Sequence, residues 1–224
     1  MRNVLSMIDR NLFFSRLGGI IRKSRGKELP LITISREYGS GGSTVARLVA
    51  KRMGRPWKLY HEEIVSGIAK ESKLERALIN EIDESKTPLI EEVIHDFFGR
   101  RYMNLSSYYK HLVKILSAIG NRGYAVILGR GANFLFPNAL KVRIIGEMSE
   151  RVRWLIKYES MTEKRAIKTI EESDQKRHEF ARTIFNHDPR KAHHYDLLIR
   201  TSDRIDVNTA TDIIVTLARR RFKL

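Results

Sequence analysis

Gly39, Ser40, Gly41, Gly42, Ser43 and Thr44 are the residues of this chain whose types and spacing most clearly suit a chemical task. They follow the apolar, β-branched run Leu31 to Ile34 and precede a stretch with Val45, Leu48 and Val49 on one helical face. A strand, a glycine-rich turn and a helix in that order let several backbone N–H groups converge on one anion at the positive end of a helix. The chemistry implied is the cradling of phosphate. Ser43 and Thr44 are the candidate caps of that helix. An ordinary strand–helix turn also favours glycine and serine.

The usual phosphate-loop signature is glycine, four residues, Gly-Lys, then Ser or Thr. Here Gly41 takes the second glycine and Ser43 the hydroxyl that would hold magnesium, but Arg36 stands at the first glycine and Gly42 at the lysine. The loop has its backbone chemistry without its usual cation. Arg36, at the loop's mouth, is the candidate substitute, with Lys51 a second one further along the helix.

A second glycine turn, Gly129-Arg130-Gly131-Ala132-Asn133, follows the strand-like run Tyr124 to Leu128. The other strands are read at Trp57–Tyr60, Lys141–Ile145 and Tyr195–Ile199. Helices are read from the glycine turn to Met53, over His61–Lys70, Lys73–Ile82 and Thr87–Phe98, and over Leu105–Ile119, stopped by Gly120. Further helices follow from a Ser149 cap, over Thr162–Ile170 and Ser173–Phe185, and over Val207–Leu217. Continuous apolar strands alternating with helices imply an α/β fold, a parallel sheet covered on both faces. Ligands of such sheets bind at the carboxyl ends of the strands, where both glycine turns fall.

The chain has 224 residues, 42% of them hydrophobic, and no cysteine. That length suits one sizeable domain, and the absent thiols exclude disulfides, thiolate metal sites and cysteine nucleophiles. No apolar run reaches a membrane span, and the reading is a cytoplasmic protein. A net charge of +16 makes polyanions the expected partners. Residues 1–30 form an amphipathic basic segment with Leu5, Ile8, Leu12, Leu17 and Ile20 on its apolar side. The favoured reading is packing on the domain or on a second copy as a homo-oligomer. Contact with an anionic membrane and a targeting peptide are the other readings.

The blocks ISREYGSGGSTVARLVAKRMG, GYAVILGRGANFLFPNALKVRIIGEMSERVRWL, DQKR and YDLLIRTSDRIDVNTATDII resemble the cytidylate kinase-like family, P-loop nucleoside monophosphate kinases and their close relatives. The resemblance runs over residues 31–218. It implies a three-layer P-loop NTPase fold with a five-stranded parallel sheet flanked by helices and a helical lid over about residues 158–190; the basic tail at 219–224, with Arg219, Arg220, Arg221 and Lys223, lies outside it. It also implies transfer of the terminal phosphoryl of ATP to a nucleoside monophosphate, CMP or dCMP first, with Mg²⁺.

Carried over by position, Gly39, Ser40, Gly41, Gly42, Ser43 and Thr44 would bind the ATP phosphates, with Ser43 as the metal ligand. Arg36, Arg130 and Arg177 are the candidate catalytic residues. Arg151 and Arg153 are candidate phosphate ligands, and Asp174, Lys176 and Arg182 belong to the lid and acceptor side. Guanidinium groups suit this work because they stay charged and bind phosphate oxygens in pairs.

The chain departs from the family pattern where the lysine is missing. It departs again at Gly131, where cytidylate kinases proper carry an aspartate, and at His61, where relatives often carry an acid. The acceptor therefore stays open. A nucleotide-binding regulatory module without kinase activity is the alternative, as is a kinase of a non-nucleotide acceptor; nucleic-acid binding by the basic surface ranks last. His187, His193 and His194 near Asp188 and Asp196 match no strong metal-ligand spacing.

Overall fold

A computed structural model describes residues 29–61, 107–129, 131–185 and 187–224. The expected basic segment at the N-terminus, the helices expected between residues 62 and 98, and Arg130 lie outside the described residues.

The described chain forms strands β1 (Leu31–Arg36), β2 (Lys58–Tyr60), β3 (Ala125–Leu128), β4 (Leu140–Gly146) and β5 (Leu197–Thr201). Its helices are α1 (Gly42–Met53), α2 (Ser107–Arg122), α3 (Ala132–Leu135), α4 (Met148–Glu159), α5 (Glu163–Phe185) and α6 (Val207–Phe222). The strands make one parallel sheet in the order β2-β3-β1-β4-β5. β1 is its centre: Ile32 pairs with Val126 on one side and Leu140 on the other.

Burial explains that order. Leu31, Ile32, Thr33 and Ile34 are all buried, as a strand covered on both faces requires. Ile32, Ile34, Val126, Val142 and Ile144 pack with Val45 and Val49 of α1 and Ile214 and Val215 of α6 in one apolar cluster. Each such side chain, fully buried, contributes roughly 1.5–3 kcal/mol. Successive strand residues face opposite ways, so Thr33 and Ile127 look to the other face, where α2 contacts β3 and α3 contacts β1. Among the described residues, no helix is long and apolar enough to cross a membrane.

Several expected boundaries move, for physical reasons. The helix after the glycine turn is capped by Gly41 in the left-handed conformation, with no side-chain cap, so Ser43 and Thr44 lie inside its first turn. Gly120 does not stop α2, which runs on to Arg122; its missing side chain instead makes room for the buried Phe136 ring. α4 starts at Met148 with Glu147 at its cap, two residues ahead of the expected Ser149 cap. The two polar helices expected between 162 and 185 are one 23-residue helix. No glycine or proline interrupts it, and its buried Ala166, Ile170, Ala181 and Phe185 hold both halves down. The last strand sits two residues later than read from the sequence. α6 continues through the basic tail to Phe222, whose ring packs on Trp57. Trp57 itself precedes β2 and stands edge-on to Tyr124.

Candidate active site

The carboxyl ends of β1, β3, β4 and β5 bring the two glycine turns to one edge of the sheet. In the first turn, the Ser40 hydroxyl donates to Glu37 O at 2.8 Å, and the Thr201 hydroxyl donates to Ser40 O at 2.9 Å. Gly39 and Gly41 have φ of 75° and 71°. A Cβ on Gly39 would lie 3.0 Å from Arg151 O, and one on Gly41 would lie 2.7 Å from Val207 Cγ1. Only glycine meets both demands there.

Among the described residues, no protein acceptor takes the backbone N–H groups of Gly39 through Thr44. Those of Gly41 through Thr44 are the donors that a helix start leaves unsatisfied, at the positive end of the macrodipole. The arrangement can hold a phosphate chain. The Ser43 side chain is exposed beside them and free to reach solvent.

Arg36 joins the two turns. A Cβ on Gly42 would lie 2.5 Å from Arg36 Cβ, so the stem of Arg36 fills the space where the usual lysine would begin. Its guanidinium lies against Gly129 of the second turn. Lys51 is exposed in the last turn of α1, roughly 13 Å along the axis from Gly42. The structure thus places Arg36, and not Lys51, beside the loop.

A cleft of about 590 Å³ opens from Arg36 and Glu37, under the second turn and against the middle of α5. Lys176 and Arg177 line it, as does Asp174. The Arg177 guanidinium sits 5.4 Å from the centre of the Tyr38 ring. Burial first, and then the neighbouring Glu159 carboxylate, hold the Tyr38 phenol above its ordinary pKa.

Asp174 ties α5 to the glycine turn. Its carboxylate accepts the Tyr38 N–H at 2.9 Å and pairs with Arg151 and with Arg177, the latter at 3.6 Å. Arg151 also donates from Nε to Tyr38 O at 2.6 Å and lies 3.6 Å from Glu37 Oε2. Its donors are thus engaged by protein, and it braces the loop from behind. Arg153 is 62% exposed, pairs with Glu150 and reaches towards Asp203 at 3.9 Å, outside the cleft. Arg182 is exposed in the last turn of α5 and does not line the cleft.

Glu37 and Arg143 are among the cleft residues that escape the sequence reading. Glu37 lies between guanidiniums, 3.5 Å from Arg143 and 3.6 Å from Arg151, and accepts the Gly146 N–H at 3.2 Å. Arg143 is buried in the floor. The available signal is a lone arginine inside the apolar strand run KVRII.

Gly131, at the position where the resemblance expects an aspartate, has φ of 70°, and the Phe185 ring fills its side-chain space. His187 stacks on Phe134, His194 stands edge-on to the same ring, and the two imidazoles lie tilted to each other, with ring centres 4.7–5.2 Å apart. Among the described residues, no group of three His, Cys, Asp or Glu side chains is placed to hold a metal ion.

Residues 31–203 match the sequence profile described as the cytidylate kinase-like family. No curated protein matches the chain. Among solved structures, an uncharacterized protein from Eubacterium ventriosum is similar at 22% identity and a TM-score of 0.66, over 87% of this chain and 99% of that one. A Thermus thermophilus protein, TT1252, is similar at 17% identity and a TM-score of 0.44, over 85% of this chain and 98% of that one. The first supports the fold.

Proposed function

The chain belongs to the cytidylate kinase-like family, and from that premise we propose that it transfers the terminal phosphoryl of ATP to a nucleoside monophosphate, CMP or dCMP first. The observation that carries this reading is the row of unengaged N–H groups from Gly39 to Thr44, opening beside a cleft lined by arginines.

Phosphoryl transfer asks little covalent help of a protein. It needs the two reactants in line, cations on the moving charge, and water kept out. In this reading the N–H groups of the first turn hold the donor's phosphates. Arg36 supplies the cation that the loop's missing lysine would give. Lys176 and Arg177 bring charge from α5, and Arg130 is a further candidate from the second turn. The exposed Ser43 hydroxyl fits a magnesium ion that keeps most of its ligands as water and phosphate oxygen. When bound, such an ion neutralises charge on the transferring group. Arg151 acts one step back, keeping Tyr38 and Asp174 in register with the turn.

The test is phosphorus NMR of the full chain with ATP, Mg²⁺ and each nucleoside monophosphate. ADP and one new diphosphate, formed in equal amounts with one acceptor, are the expected result. ATP left intact across the whole panel overturns it.

The second reading, a nucleotide-binding module without kinase activity, is favoured by one observation: the stem of Arg36 closes the space a lysine would need at position 42. Tight ADP binding without turnover is its signature.

A further inference from the structure

We infer that Arg143 forms the floor of an anion subsite in the cleft and binds the acceptor's phosphomonoester group directly. The inference rests on the kinase reading above and names the residue that would recognise the acceptor.

Arg143 occupies a costly place. Val142 and Ile144, its neighbours on β4, point into the apolar cluster with α1 and α6. Strand periodicity turns Arg143 the other way, level with Ser35 of β1. Strands buried on both faces normally carry apolar residues at such positions. Arg143 is nevertheless only 7% exposed. A buried charge needs close, well-directed partners to offset its desolvation.

Its partners are loose. Nη1 lies 3.2 Å from Ser35 Oγ and 3.5 Å from Tyr195 OH, and Nη2 lies 3.5 Å from Glu37 Oε1. The Tyr195 hydroxyl donates its own proton to Pro189 O at 2.8 Å. Glu37, the one carboxylate near Arg143 among its described contacts, is shared with Arg151. The Tyr195 ring, 5.6 Å from the guanidinium carbon, holds the group by its face. Five N–H donors on a fixed fork thus meet three long contacts at the wall of an open cleft.

The ligand is on the acceptor side. The cleft around Arg143 is lined by Ser35, Glu37, Gly129 and the middle of α5, whereas Gly39 to Thr44 do not line it. Donor phosphates on the first turn would leave this floor for the second reactant. A phosphomonoester is a near-dianion whose oxygens match the guanidinium fork.

The test is calorimetric titration of the wild-type full chain and of Arg143→Met and Arg143→Lys. ADP is titrated first. A panel of nucleoside monophosphates is then titrated into ADP-loaded protein, with cytidine as the phosphate-free control. The expected result is an ADP Kd unchanged within about threefold, and a monophosphate Kd raised about 10- to 100-fold in Arg143→Met. Arg143→Lys, which keeps the charge and loses the fork, should fall between and serves alone if Arg143→Met does not fold. Cytidine binding should not change.

Equal weakening of ADP and monophosphate overturns the subsite in favour of a structural ion pair. An unchanged monophosphate Kd overturns it too, as does a panel in which no monophosphate binds the loaded wild type. Failure of the wild type to bind ADP refutes instead the reading of the glycine turn on which the subsite rests.

Discussion

Asp174 accepts the backbone N–H of Tyr38 at 2.9 Å, so the middle of α5 is fastened to the glycine turn by one carboxylate. The same carboxylate pairs with the buried Arg151. Asp174→Asn keeps an acceptor for Tyr38 but leaves the Arg151 charge without its nearest counter-charge. We expect a loss of roughly 2–3 kcal/mol, below the full cost of breaking a buried pair because Asp174 is partly exposed. Urea denaturation measures it. In a double-mutant cycle with Arg151→Met, the two losses should not add.

Gly41→Ala tests the first turn. The residue has φ of 71° and its new Cβ would meet Val207 Cγ1 at 2.7 Å. Strain of about 1–3 kcal/mol should either lower the melting temperature or shift the turn. In both cases ADP affinity, measured by titration calorimetry, should fall by about tenfold or more. Val207→Ala in the same chain should recover part of the stability by clearing the contact.

Gly120→Ala tests why a glycine stands inside α2. In an open helix the change would stabilise by up to about 1 kcal/mol. Here the added methyl meets the Phe136 ring, itself 2% exposed and unable to swing away. The expected result is a net loss of about 1–3 kcal/mol by thermal or urea unfolding.

The histidine stack predicts acid sensitivity. Burial first, and then the charges of His187, His193, Lys191 and Lys141, push His194 down to about 4. His187 is lowered in the same direction, again chiefly by burial. A base whose folded pKa lies below its unfolded value binds fewer protons when folded. The stability this neutral stack contributes is therefore full above about pH 6.5 and lost as the pH falls towards 4. The melting temperature should drop between pH 7.5 and pH 5, and the drop should be smaller in His194→Phe. Equal drops in the two proteins would show that the stack does not set the acid limb.

Much of the architecture is local physics and was legible in the chain. The apolar run at Leu31 to Ile34, the glycines after it and the periodicity of Val45 and Val49 specify a strand, a glycine-rich turn and a helix by nearest-neighbour rules. The strand–helix alternation then leaves a parallel sheet with both turns at one edge as the natural solution. Breakers are less reliable, because their meaning depends on what packs against them. Gly120 reads as a stop, yet it is a seat for Phe136.

What the linear order could not reveal is which charges face one another. Arg151 and Arg153 stand two residues apart on α4, and the pattern treats them alike. The fold turns the first inward to Tyr38, Glu37 and Asp174 and the second outward to Glu150 and Asp203. A helix turns about 100° per residue, so neighbours two apart point to different sides. Arg143 likewise reads as one more basic residue of a chain with net charge +16. Only the pairing of β4 with β1, which sets it level with Ser35 and against Tyr195, makes it a buried cation at the wall of the cleft. Sequence determined the turn that can hold a phosphate, because that depends on backbone freedom over six residues. Tertiary structure decided which guanidiniums brace that turn and which face the cleft, because charges distant in the chain meet only when the sheet is assembled.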